Sequence, residues 1–501
     1  MNGVVAAGHP ITAEAGADVL REGGNAVDAA VAAALASFAV ESPLTGFGAG
    51  GFMMVSRSEE TALIDFFVAA PGKDGIERGE ELIPIPVHFD PETVQTFYVG
   101  PASCGVPGTA AGLELALRRF GTAPLGDLVG AGVKLAREGA PVNTEQAYIL
   151  EILWPIHERL EETRRLYAPQ GRRLGEGDVF CFPELAEALE RFGAEGAEPF
   201  YRGEVAAALS SYVGERGGTL GAADLAGYEA IERQPIRAFF RGTEVLTNPP
   251  PSSGGILIAY SLGLLERLGE HSGPEQLVAA MDAANRARGE EFAEALYGEG
   301  LEAALLDPAR LDLKAGDLLG STTHISVLDG DGMCASVTCS NGSGSGVLVP
   351  GTGVILNNML GEEDLNPLGF HAIAPGRRVP SMMAPTVVRR DGEIELGLGS
   401  AGSNRIRSAI VQTVVRAVEQ GMGADEAVRA PRLHIEQGIV QAEPGIDEEA
   451  LARIEARGIP VLRRPRINLF FGGVQAVARD RTSGELSGGG DPRRGGSVAF
   501  A

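Results

Sequence analysis

The residues best suited to chemistry in this 501-residue chain lie in "GSTTHISVLDGDGMCASVTCSNGSGSG", residues 320–346, which opens with two threonines and a histidine. A threonine hydroxyl is a weak nucleophile until a base takes its proton. No HExxH, GxSxG or GxxxxGK[ST] pattern is present, and no His-Asp pair stands at triad or metal spacing. An N-terminal threonine needs no such partner, because its own α-amine, with a free pKa near ~7.7 to 8, can act as general base. Thr322 is internal, so this chemistry requires cleavage of the Ser321–Thr322 bond. The Thr322 hydroxyl would attack its own backbone first and a substrate amide afterwards.

The element that must position Thr322 is a hairpin, signalled by two alternating runs around Asp329-Gly330-Asp331-Gly332. Pairing Ile325 with Val337 and Val327 with Ala335 gathers the apolar residues on one face, and a slip of one residue would flip every side chain. The other face then carries Thr322, His324, Ser326, Ser336, Thr338 and Ser340, with Thr322 opposite Ser340. A polar face of this kind reads as a strand surface looking at water. The donor-rich "SNGSGSG" that follows gives the other reading, a wall of a ligand cleft.

Around the hairpin, "GGNAVDAAVAAALASFAVES" predicts a helix capped by Asn25, with Asp28 in its first turn, apolar all round and therefore buried between layers. Gly46, Gly48 and Gly51 formally fit GxGxxG, but the order helix, glycines, strand is the reverse of a dinucleotide site, so they imply close backbone packing. In "NPPPSSGGILIAYSLGLLERL", Ser253 reads as a helix cap, or Ser252 and Ser253 as polar lining of a cleft. Trp154 reads as core, Asp491-Pro492 as the start of a turn, and the six histidines other than His324 as isolated.

Composition narrows the function classes. The net charge of −25 argues against a nucleic-acid partner. Cys104, Cys181, Cys334 and Cys339 form no CxxC or CxxH pair, so neither a metal site nor a cofactor is implied. The apolar run from Ala29 to Val40 is shorter than the ~20 residues a membrane helix needs. The first residues lack a signal-peptide pattern, which reads as cytoplasmic, or as periplasmic or secreted if a leader was removed.

Taken together, "GGNAVDAAVAAALA", "GFGAGGFMMV", "GVPGTAAG", "PPPSSGGI", "TTHISV", "SNGSGSG", "GVILNN", "PSMMAPT", "GSAGSNRI" and "DPRRGG" resemble, in order along nearly the whole chain, the γ-glutamyltransferases (glutathione hydrolases). These are self-cleaving N-terminal nucleophile hydrolases. The resemblance implies an α+β fold, a four-layer αββα sandwich. It implies a large-subunit segment, 1–321, and a small-subunit segment, 322–501, that stay together as a heterodimer, with a higher oligomer left open. It also implies a small amide or peptide substrate, and water or an amine as acceptor.

Position by position, Thr322 resembles the nucleophile and Ser340 the residue whose hydroxyl supports it. Asn341 matches a residue at the substrate's α-amino end, and Ser381 one of two serines at the α-carboxylate. Gly402 and Ser403 fall on the Gly-Gly pair of the oxyanion hole, a role Ser403 keeps provided its backbone is not forced to positive φ. Glu362, Glu363 and Asp364 are alternatives for the acidic partner of the substrate ammonium. Three positions depart from the pattern: Phe67 replaces the arginine that clamps the glutamyl carboxylate, Pro380 the first serine, and Met359 a polar residue. They open a second reading, an acylase for a more apolar acyl amide. An unprocessed, non-catalytic binding protein is a third.

Overall fold

The computed structural model describes residues 2–306 and 322–501, apart from 59, 77, 78, 80, 91, 92 and 289. Ser321 lies outside them, so the proposed cleavage bond is not described. Thirteen strands build the two central sheets: β1 (Gly3–Ala7), β2 (Gly50–Arg57), β3 (Glu60–Phe66), β4 (Ile231–Arg233), β5 (Ile236–Phe240), β6 (Thr243–Thr247), β7 (Thr323–Asp329), β8 (Cys334–Ser340), β9 (Thr386–Arg390), β10 (Glu393–Ala401), β11 (Gly473–Arg479), β12 (Leu486–Gly490) and β13 (Ser497–Phe500). The first sheet runs β13-β1-β7-β8-β2-β3-β4 and the second β12-β11-β10-β9-β6-β5, with antiparallel pairing throughout.

Helices cover the outer face of each sheet. On the first lie α1 (Pro10–Arg21) and α2 (Ala26–Val40), and on the second α3 (Ser253–Arg267) and α4 (Arg405–Val414). This is the αββα sandwich. Every residue of α2 is buried, as its all-round apolar sequence requires, and its N-terminus is closed by the reciprocal Asn25–Asp28 capping box. The apolar face of the β7–β8 hairpin, including Ile325, Val327, Ala335 and Val337, shares one core with α2.

The glycine run after α2 packs backbone on backbone. A Cβ on Gly48 would lie 2.0 Å from the Ile355 carbonyl oxygen, and one on Gly51 2.1 Å from that of Thr338. At the start of α3 the structure corrects the capping expectation, because neither serine caps the helix through its side chain. Ser252 Oγ instead donates to the carbonyl oxygens of Ser381 and Met383, and Ser253 Oγ to that of Ser381. Among the described residues no helix is long and apolar enough to cross a membrane.

Candidate active site

The hairpin forms in the register that keeps its apolar side chains together, with Thr323 opposite Cys339, Ile325 opposite Val337 and Val327 opposite Ala335. Thr322 directly precedes the first of these pairs. The polar face does not meet water. Thr322, His324, Ser326, Ser336, Thr338 and Ser340 are all buried, because this face looks onto the second sheet. Ser326 Oγ donates to Gln475 O and Ser336 Oγ to Leu398 O.

His324 belongs to this inter-sheet layer. Its Nδ1 lies 2.7 Å from Thr338 Oγ1 and its Nε2 2.9 Å from Ser326 Oγ. Gly399 makes room for the ring, since a Cβ there would sit 2.2 Å from His324 Cε1. Burial lowers the imidazole pKa to about 3, so the ring is neutral and packs as a polar spacer.

Thr322 and Ser340 instead open onto a shared cleft. Its polar lining is completed by Ser381, Ser403, Glu362 and Asp364, and its apolar walls are Phe67, Met359, Leu365, Met382, Met383 and Ile406. Asn341 and Gly402 are not on the wall. Asn341 donates its N–H to Leu44 O and accepts from Asn358 N, and its buried side-chain amide has no partner among the described residues. Gly342 faces the cleft in its place, and its N–H donates to Ser340 Oγ at 2.8 Å. Ser381 is held by Ser252 and Ser253 at the start of α3, while its own Oγ accepts from Met383 N.

Of the three acidic alternatives, Glu362 and Asp364 line the cleft and Glu363 is exposed. Glu362 Oε1 accepts the Ser343 N–H at 3.0 Å, and burial, reinforced by Asp364, pushes its carboxyl up to about 8. Burial also pushes Asp364 up to about 6, against the lowering influence of Arg288 and the Ser403 hydroxyl. Phe67 is fully buried and stacks on Phe52, with centroids 5.3 Å apart. Among the described residues, no arginine, lysine or histidine lines this cleft.

The condition set for Ser403 is not met: its φ is +51°, following Gly402 at +117°. A side chain in the left-handed region costs roughly 1 to 2 kcal/mol. A 2.6 Å hydrogen bond from Ser403 Oγ to Asp364 Oδ2 offsets that cost. Ser403→Ala keeps the strained φ and loses the bond, whereas Ser403→Gly loses the bond and the strain together. The alanine variant is therefore expected to unfold in urea with about 1 kcal/mol less stability than the glycine variant. Equal midpoints would show that the positive φ carries no strain.

Two supports escaped the sequence reading. Glu41, just past α2 and buried, accepts hydrogen bonds from Thr323 Oγ1 at 2.7 Å and Thr12 Oγ1 at 2.9 Å. It fixes the residue next to Thr322 from the opposite side of the strand. Asp491 caps the short turn Pro492–Arg494, as its sequence suggested, and that turn sends Arg494 to the Thr322 carbonyl oxygen at 3.4 Å. A lone acid ending an apolar helix, in "AVESP", was the signal available for Glu41. Arg494 gave none. Among the described residues, no group of three His, Cys, Asp or Glu side chains is disposed to hold a metal.

A family model described as Gamma-glutamyltranspeptidase matches residues 12–501. A Bacillus subtilis (strain 168) protein named glutathione hydrolase proenzyme is 31% identical over 549 aligned residues, spanning 99% of this chain and 91% of its own. A Pseudomonas sp. (strain SE83) protein named acylase ACY 1 proenzyme is 33% identical over 506, spanning 95% and 89%. The crystal structure of cephalosporin acylase from Bacillus halodurans superposes with a TM-score of 0.84 at 26% identity, over 100% of this chain and 96% of that one. Cleft, sheets and similarity agree: the chain is an enzyme of the gamma-glutamyltranspeptidase family, with the N-terminal nucleophile hydrolase fold.

Proposed function

We propose that this enzyme is a self-cleaving threonine amidohydrolase in which Thr322 is both the agent of maturation and the catalytic nucleophile. The observation that carries the reading is the placement of Thr322 at the head of β7, on the same cleft as Ser340, Ser381 and Ser403. In maturation, Thr322 Oγ1 attacks the Ser321 carbonyl carbon, the amide becomes an ester, and water releases residues 1–321 from 322–501 with a free α-amine on Thr322. The two fragments stay together, because each central sheet contains strands from both.

In turnover the freed amine takes the Thr322 hydroxyl proton as the oxygen attacks a substrate amide carbon. We assign the oxyanion to the Gly402–Ser403 backbone although both residues are left-handed, a conformation that the Ser403–Asp364 bond helps Ser403 to hold. The amine returns the proton to the leaving nitrogen, and water or an amine then accepts the acyl group. Ser340 orients the nucleophile. Ser381, Glu362, Phe67 and Met359 shape the acyl pocket, with Asn341 a buried support behind it.

Two acyl classes remain. γ-Glutamyl amides such as glutathione follow from the names of relatives. A more apolar acyl amide is favoured by Phe67, whose stacked ring stands where the resemblance puts a carboxylate-binding arginine. Losing such a bidentate pair removes charge-assisted bonds worth roughly 1.5 to 3 kcal/mol each. The test pairs intact mass with turnover of γ-glutamyl-p-nitroanilide and a panel of other acyl anilides. Fragments meeting at Thr322 and release of nitroaniline are expected; a correctly cleaved protein that turns over no anilide would reduce the chain to a binding scaffold.

A further inference from the structure

We propose, resting on Thr322 as the nucleophile, that the cleft selects acyl groups carrying a primary amine on a short aliphatic chain, with no carboxylate beside it. The argument begins with charge. Glu362 and Asp364 face the cleft at 3% and 7% exposure, and no cationic side chain among the described residues lines it with them. Buried carboxylates are costly unless paired with a cation or neutralised by a proton. Asp364 is near Arg288 and Arg405, but Arg288 Nη1 donates to Asn404 Oδ1 and Arg405 Nε to Phe470 O. Glu362 has no cation among the groups acting on it, only Asn358, Ser343 and a second acid.

Asp364 Oδ2 is taken by Ser403, while Oδ1 is buried with no hydrogen-bond partner in the protein. An ammonium brings N–H donors for that oxygen and a charge for Glu362. Burial raises both carboxyl groups, and Glu362, on which no cation acts, stands higher at about 8 than Asp364, which Arg288 and Arg405 hold down to about 6. A divalent metal fits less well, since among the described residues no third His, Cys, Asp or Glu joins the pair.

The amine belongs to the acyl side of the scissile bond. After the first step the leaving group must depart and water must enter, so the leaving group takes the open side, and the deeply buried acids meet the portion left bound. Phe67, Met359 and Leu365 share that lining and suit a methylene spacer. A carboxylate next to the amine would meet two like charges and no arginine. Like charges brought together in a desolvated site disfavour binding.

Four p-nitroanilides of matched chain length test this on the cleaved enzyme: γ-aminobutanoyl, with the amine alone; glutaryl, with the carboxylate alone; γ-glutamyl, with both; and butanoyl, with neither. The γ-aminobutanoyl compound is expected to exceed butanoyl in kcat/KM by about tenfold or more, and glutaryl to fall below butanoyl. Glu362→Gln is expected to cut the γ-aminobutanoyl-to-butanoyl ratio about tenfold, a ratio that a general loss of activity leaves alone. If the enzyme is cleaved at Thr322 and hydrolyses butanoyl anilide without favouring the amine, or if γ-glutamyl or glutaryl leads the series, the inference falls and the amidohydrolase reading stands. Failure on all four anilides overturns both.

Discussion

Thr322→Ala is expected to leave one uncleaved chain and to lower amide hydrolysis by on the order of 10⁴-fold or more. The substitution removes two functions with one atom. Without Oγ1 there is no attack on the Ser321 carbonyl, and without that cleavage the α-nitrogen stays in a peptide bond and cannot accept a proton. The neighbouring hydroxyl is no substitute, because alternation along β7 sends Thr323 to the opposite face, where its Oγ1 donates to Glu41. Thr322→Ser restores the hydroxyl without the β-branch that restricts its rotamers, so cleavage is expected to return at a reduced rate. Intact mass after prolonged incubation decides the matter. An alanine variant that still splits, with its smaller fragment beginning at Thr323, would move the nucleophile by one residue and discard the role given to Thr322.

What the sequence made legible here follows from which interactions are local. The hairpin register followed from alternation alone, since only one pairing keeps Ile325, Val327, Ala335 and Val337 on one side. The burial of α2 followed from an apolar run with no polar stripe. The fate of the polar hairpin face was not legible. Hydroxyls facing water and hydroxyls facing a second sheet give the same pattern, and the partners Gln475 and Leu398 lie far along the chain. The hairpin of Ile83–Asp90 with Thr93–Val99 went unread, because Pro84 and Pro86 speak against a strand; as an isolated two-stranded ribbon it can hold them on its unpaired edge.

At the site, residue types were legible and their placements only in part. Glu362 and Asp364 could not be separated from Glu363 by spacing, and it took two short turns, Met359–Gly361 and Glu363–Leu365, to aim the first two inward. Asn341 looked like a cleft residue because it follows Ser340, yet its backbone is tied to Leu44 and Asn358 and Gly342 takes the wall. The supports Glu41 and Arg494 depend on contacts across hundreds of residues, which no periodicity encodes.

Glu362→Gln is expected to stabilise the unliganded protein at about pH 8.5 by up to roughly 3 to 5 kcal/mol and to change it little at about pH 5. The sign follows from the direction of the shift. The Glu362 carboxyl rises from 4.5 to about 8 on folding, chiefly through burial. The folded state therefore holds this proton more tightly than the unfolded chain. That advantage is complete below the unfolded value and is lost as pH climbs through the folded one, so wild-type stability falls between about pH 4.5 and 8. Glutamine keeps an oxygen for the Ser343 N–H and never ionises, so it escapes the fall. Urea midpoints for both proteins at the two pH values measure the difference. A constant gap would mean that the carboxylate is not desolvated, and the charge argument for an amine-bearing acyl group would lose its footing. A gap that opens with pH would mark Glu362 as a stability cost held in the cleft, of the kind a binding site retains when its ligand brings the missing charge.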